Sequence, residues 1–189
     1  MLIMNNKLDD LPIVSVQASR PIGSVSGYII DPRNLHIVAL YADNRASEEP
    51  LILHTSDIRE FNSQGILIDH DEQLMERDGL VRLQEVVKFN FSLLDKPVET
   101  DDGRGVGKVS AFAFDSLTWR VMRLNVSQPL VRNMGVSELI IHRQQIVKVT
   151  DNKIIVDSTK IKIKEKFSLR RMLLGGKPAL NADSIGADD

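Results

Sequence analysis

The densest chemistry in this chain lies near its end, where Lys160, Lys162, Lys164 and Lys166 alternate with Ile161, Ile163 and, past Glu165, Phe167. Arg170 and Arg171 follow, beside Leu169, Met172, Leu173 and Leu174. An extended strand has a period of two, which would place the lysines on one face and the apolar residues on the other. Such a surface suits the phosphates of RNA or anionic lipid headgroups. It equally suits a solvated edge strand, because lysines on an edge block pairing with another sheet. Elsewhere the candidate groups are few: His54 and His142, the run Asp69-His70-Asp71-Glu72, and three alternating glycines, Gly103, Gly105 and Gly107.

These groups are weighed by an internal repeat. GSVSGYIID at 23–31 returns as GKVSAFAFD at 107–115 without a gap. At the same separation of 84, Val14 pairs with Val98, Arg20 with Arg104, Gly23 with Gly107, Asp31 with Asp115 and Leu40 with Leu124. The separation becomes 88 where LILHTSDI at 51–58 faces LIIHRQQI at 139–146 and ILID at 66–69 faces IIVD at 154–157.

Catalysis asks for a histidine beside an oriented carboxylate or nucleophile, and metal binding asks for three or four convergent ligands. His54 and His142 are equivalent, but Asp57 beside one becomes Gln145 beside the other, so both read as strand-end histidines that pack or hydrogen-bond. The acidic run faces Asp157-Ser158-Thr159-Lys160 and reads as a solvated strand end leading into a helix. DGRGVGK lacks the helix that follows a phosphate-binding loop, so Gly103 and Gly107, like Gly23, read as turn glycines. Asp31 and Asp115 precede turns whose backbone they are suited to bond. Trp119 faces Leu35 and is expected in packing. Arg20 and Arg104 are expected to bind turn carbonyls or a shared partner.

The elements that position these residues are short strands broken by turn residues at intervals of about 8 to 12 residues, the pattern of small barrels or sandwiches. Expected strands run over Ile13–Val16, Val25–Ile30, Leu35–Ala42, Leu51–Leu53, Ile58–Phe61 and Ile66–Asp69, with counterparts that include Trp119–Val126, Leu139–Ile141, Ile146–Val149 and Ile154–Asp157. The polar stretches Asp43–Pro50 and Ser127–Glu138 differ between the repeats and are expected to be loops with different contact surfaces. Residues 72–92 show mixed helical spacings and predict one or two short connecting helices.

The segment KPVETDDGRGVGKVSAFAFDSLTWRVMRLNV at 96–126, followed by ELIIHRQQIVKVTDNKIIVD, resembles the PRC-barrel, the domain named for the photosynthetic reaction centre H subunit. In the first repeat Gln17-Ala18-Ser19 replaces the acidic-glycine turn of that pattern. The resemblance implies a compact β-barrel used as an interaction module, with no general catalytic site to carry over. It also includes the C-terminal domain of the ribosome maturation factor RimM.

The expected architecture is mainly β: PRC-like barrels at 11–71 and 93–159, a helical connector at 72–92, a basic amphipathic segment at 160–174 and a disordered tail at 175–189. Net charge is -2, which gives no global signal for nucleic acid or membrane. Cysteine is absent, which excludes disulfides and thiolate sites. No secretory signal or spanning run is read, so a cytoplasmic location is expected, with docking at the inner membrane surface as a variant. The functional expectation is a non-enzymatic binding or assembly module with a protein partner and no cofactor, metal or small-molecule substrate. RNA and an anionic membrane surface are the alternative partners for 160–174, through Lys160, Lys162, Lys164, Lys166, Arg170 and Arg171.

Overall fold

A computed structural model describes residues 1–44, 47–76, 86–87, 91–128 and 137–161. The chain is mainly β. Its strands are β1 (Leu2–Met4), β2 (Pro12–Ser15), β3 (Arg20–Asp31), β4 (His36–Asp43), β5 (Leu51–His54), β6 (Glu60–Asn62), β7 (Gly65–Ile68), β8 (Leu74–Met75), β9 (Pro97–Thr100), β10 (Gly105–Asp115), β11 (Val121–Gln128), β12 (Ser137–His142), β13 (Ile146–Val149) and β14 (Ile154–Val156). They form two seven-stranded sheets, one ordered β6-β7-β2-β3-β4-β5-β8 and the other β13-β14-β9-β10-β11-β12 with β1 added on β10. The curl is that of a half-barrel. Among the described residues no helix is long and apolar enough to cross a membrane.

The two strand orders match, and so do the registers. Tyr28 pairs with Leu40 as Phe112 pairs with Leu124, and Leu40 pairs with Leu53 as Leu124 pairs with Ile141. Irregularities recur too: the β3/β4 ladder shifts at Val25/Gly27 and Ile29/Ile30, and the β10/β11 ladder at Val109/Ala111 and Ala113/Phe114. A bulge bends its strand and increases its twist, so both sheets are curled at the same points. Each contains one parallel pair, Ile13 opposite Ile66 in one and Val98 opposite Ile154 in the other.

That last pairing corrects the alignment of the opening strand. Val98 occupies the position of Ile13, not Val14, because the turn from Thr100 to Arg104 is one residue shorter than that from Ser15 to Arg20. At the resulting separation of 85 the correspondence runs back through Pro12 and Pro97, Asp10 and Asp95, Leu8 and Leu93, to Asn5 and Asn90 in the sequence. Leu8 and Leu93 are both buried, and Asp10 and Asp95 both have positive φ, at 58° and 61°. Residues before Leu11 therefore belong to the folded unit. β1 pairs with the distal half of β10, and buried Asn5 accepts a hydrogen bond from the Phe112 amide at 3.0 Å.

The expected connector begins differently. Asp71–Gln73 is a 3-10 turn, and Leu74–Met75 is the strand β8, which pairs with β5. Val86 and Val87 are helical, and Val86 joins Ile29, Ala39 and Ile52 in a small apolar cluster on the first sheet. Residues 77–85 and 88–90 of that connector lie outside the described residues. Strands also extend into both expected loops, since β4 runs through Asp43, β11 through Gln128, and β12 starts at Ser137.

One contiguous core joins the sheets. It contains Ile13, Ile30, Ile37, Leu40 and Ile66 from one and Val98, Phe112, Phe114, Leu124 and Ile154 from the other. Tyr28 meets Phe112 edge-on at 5.3 Å. The hairpin tips after β3 and β10 are joined by reciprocal backbone bonds, Ile37 N–H to Trp119 carbonyl at 2.8 Å and Val121 N–H to Leu35 carbonyl at 2.9 Å, around a bridge between His36 and Arg120. Leu35 and Trp119, expected to open strands, are instead left-handed turn residues with φ of 51° and 54°. A left-handed conformation strains any residue with a Cβ. Burial of both side chains and the reciprocal bonds offset that cost.

A cationic groove beside the junction

The junction has two pseudo-equivalent flanks, and their side chains differ. On one, Trp119 stacks on Phe114 at 5.3 Å and meets Phe61 of β6 edge-on at 5.2 Å, which fills the space with aromatic rings. On the other, Leu35 stands where Trp119 would be, Ile30 where Phe114 would be, and Val149 where Phe61 would be. Three smaller side chains leave a groove of about 350 Å³, lined by Arg33, Asn34, Leu35, Arg143, Ile146, Val147, Lys148 and Val149.

Charge differs as well. Arg33, Arg143 and Lys148 line the open groove, and their counterparts on the filled flank are Leu117, Thr55 and Glu60. Arg143 explains how such a change is accommodated. Thr55 donates its hydroxyl to the Ile37 carbonyl at 3.0 Å, and Arg143 donates to the equivalent Val121 carbonyl at 3.2 Å. The guanidinium then reaches across to the Asn34 carbonyl at 2.6 Å, tying β12's end to the opposite hairpin. Burial, and then the neighbouring Arg120 charge, push the Arg143 pKa below its ordinary value, yet an arginine stays protonated at neutral pH. Burial likewise lowers the pKa of His36, which hydrogen-bonds the Thr118 backbone and feels the same Arg120. Asp31 answers Arg33 in a forked ion pair at 2.9 Å.

The ladder also re-aims side chains at the groove. β13 pairs Ile146 with Val156 and then Lys148 with Ile155, so the register skips at Val147. Val147 and Lys148 are consecutively exposed as a result, Val147 by 60%. In the first sheet the Val147 position is Arg59, which is occupied by an ion pair with Asp69 at 2.8 Å. β13 is the end strand of its sheet.

Of the residues singled out in the sequence, Asp31 pairs with the lining residue Arg33, His142 precedes the lining residue Arg143, and Lys160 contacts the turn before β13. Lys160 closes a 3-10 turn rather than opening a strand, pairs with Asp157 at 2.8 Å, and gives its carbonyl to Gln145 Nε2 at 2.7 Å. The chain therefore leaves the described fold beside the β12–β13 turn that forms one wall. Ile161 packs against the core, and Lys162, Lys164, Lys166, Arg170 and Arg171, with the expected tail at 175–189, lie outside the described residues.

The other candidates sit in turns. Asp115 accepts from the Leu117 and Thr118 amides and from the N-terminal ammonium at 3.0 Å. Asp31 accepts from the Arg33 amide at 3.0 Å. Gly103 has φ of 85°, which favours glycine. Gly23 and Gly107 are required by close approach, because a Cβ would stand 2.7 Å from the Asp43 carbonyl oxygen and 2.2 Å from that of Ser127. Arg104 pairs with Asp102 at 2.9 Å, and Arg20 reaches the Pro21 carbonyl at 3.4 Å. His54 caps a 3-10 turn by accepting from the Ser56 amide at 3.2 Å, whereas at the equivalent turn the His142 amide donates to Gln145 Oε1 at 2.7 Å. Asp69 is paired with Arg59, and the His70 amide bonds Gln73 Oε1 at 2.8 Å. Among the described residues no three of His, Asp and Glu are grouped to hold a metal ion.

Arg143, Lys148 and Val147 were missed from sequence, although a signal was present: aligned at 88, the repeats change charge or size at these positions, as they do at several others. Compared with protein-family models and with curated protein sequences, the chain gives no match.

Proposed function

We propose that the chain is a non-catalytic protein-binding or assembly module, built as two tandem PRC-type β-barrels that present the cationic groove between them. The observation that supports this reading is the contrast at the junction. Matching strand order, bulges and left-handed turns make a frame common to both sheets, while one flank is packed with rings and the other is left open and charged. Binding residues placed at the rim of a rigid scaffold are the usual arrangement of such modules. A groove with apolar walls and few cations positions a partner by charge and contact.

The test is affinity purification from cells with the full chain and with the pair Val147→Asp/Lys148→Glu. Both side chains are exposed, so melting should stay unchanged while proteins recovered with the wild type are lost. Recovery of the same set by both chains, or of nothing by either, would refute the reading.

A further inference from the structure

We infer that the groove takes an acidic, partly apolar peptide segment of a protein partner, its carboxylates held by Arg143 and Lys148 and an apolar side chain seated between Leu35 and Val149. This rests on the binding-module reading and adds the chemistry of the partner.

The walls favour a peptide over the two other anionic surfaces. Single-stranded nucleic acid is held by stacking bases on aromatic rings, and none of the eight lining residues is aromatic. The rings of this junction, Phe61, Phe114 and Trp119, are consumed on the opposite flank. A membrane presents a broad surface to protruding cations and apolar residues, whereas Leu35 is buried at the floor of a concavity. A volume of about 350 Å³ matches a few side chains of an extended segment.

The field points the same way. Arg120 adds a charge next to Arg143, and Asp157, which follows β14 and caps the next 3-10 turn, is already answered by Lys160. Complementary charge of this kind raises the encounter rate and sets orientation. The skip in β13 turns Val147 and Lys148 outward together, giving an apolar and a cationic contact in succession. An acidic residue followed by an apolar one matches that spacing.

Fluorescence polarisation with the full chain tests the inference, using a short labelled peptide of alternating aspartate and leucine. The expected result is saturable binding that weakens with added salt, falls about tenfold or more with Lys148→Glu, and is unchanged by Glu60→Gln on the filled flank. A lysine–leucine peptide, inorganic phosphate, a uridine oligonucleotide and phosphatidylglycerol vesicles are the competitors. The inference is overturned if the acidic peptide does not bind, if Lys148→Glu leaves its binding intact, or if oligonucleotide or vesicles displace it while free peptide of the same sequence does not. Failure here, with groove-dependent recovery of partners in cells, removes the acidic peptide and leaves the module. Failure of both removes the module.

Discussion

Replacing Trp119 by leucine and Phe61 by valine would give the filled flank the side chains of the open one. Leucine at 119 isolates the ring, because Leu35 already occupies the same left-handed conformation at φ 51° against 54°. Backbone strain is thus nearly constant across the substitution. Trp119 is 6% exposed and meets two rings, at 5.2 and 5.3 Å. Truncating a buried aromatic to alanine costs about 3–5 kcal/mol, and leucine retains part of the contact, so Trp119→Leu should cost about 2–3 kcal/mol. Phe61 is less enclosed, and Phe61→Val should cost about 1–2 kcal/mol. Edge-to-face rings contribute about 0.5–1.5 kcal/mol beyond their area, so the double variant should be less destabilised than the sum by about 1 kcal/mol. For a chain of this size each kcal/mol lowers Tm by about 2–4 °C. Urea unfolding followed by far-ultraviolet circular dichroism measures all four proteins, including those without the single tryptophan. Additivity within about 0.3 kcal/mol, or a Trp119→Leu cost below about 1 kcal/mol, would refute the claim that these rings hold the sheets together across the junction.

Glycine substitutions should follow the space at each site. Gly107→Ala, with its Cβ 2.2 Å from the Ser127 oxygen, should destabilise more than Gly23→Ala at 2.7 Å from the Asp43 oxygen; Gly103→Ala has open space and should lose only about 1–2 kcal/mol to its φ of 85°. Equal Cm losses at 107 and 103 would show that close approach is not the constraint. In acid, Asp115 is held at about 2, first by the N-terminal ammonium and then by the Thr118 amide. A folded pKa below the unfolded value of about 3.9 means stability that is full above about pH 4 and lost as pH falls toward about 2. Asp115→Asn keeps an oxygen for the turn amides and removes the charge, so its Cm deficit at pH 6 should close toward pH 2; a constant deficit would count against the ion pair.

Much of the sheet architecture was legible because the signals were local. Apolar alternation, Asp-led turns and Asn62-Ser63-Gln64-Gly65 mark strands and hairpins wherever they occur. The offset error at the first strand had a physical origin: Val14 and Val98 are the same residue type, but burial belongs to Ile13 and Val98, and only the ladder reveals the shorter turn. Leu35 and Trp119 were unreadable as left-handed residues, since neither type favours that conformation and its cost is offset by contacts from distant sequence. β8 is too short to carry a period, and β1 is fixed by a partner more than 100 residues away. Of the candidate site, Lys160 was named from sequence for its charge, but its place beside the groove comes from Gln145. Arg143 and Lys148 were passed over because each looks like an ordinary surface cation until its counterpart is set beside it.

The pair Thr55 and Arg143 shows how a charged groove arises without disturbing the frame. What the fold requires at that position is one hydrogen-bond donor for a carbonyl at the start of the second strand of the hairpin, Ile37 in one sheet and Val121 in the other. A buried carbonyl left without a donor costs about 1–3 kcal/mol, so the position is constrained in chemistry but not in residue type. Threonine meets the requirement with a hydroxyl and is itself buried, whereas arginine meets it with one nitrogen and has further donors. One of those joins the Asn34 carbonyl, so the substitution that adds charge also strengthens the junction. The same holds at 148, where the ladder needs only backbone and the side chain is free to change from glutamate to lysine. Positions whose structural demand can be met by more than one side chain are therefore where two halves of the same architecture diverge at least cost, and in this chain those positions converge on the groove.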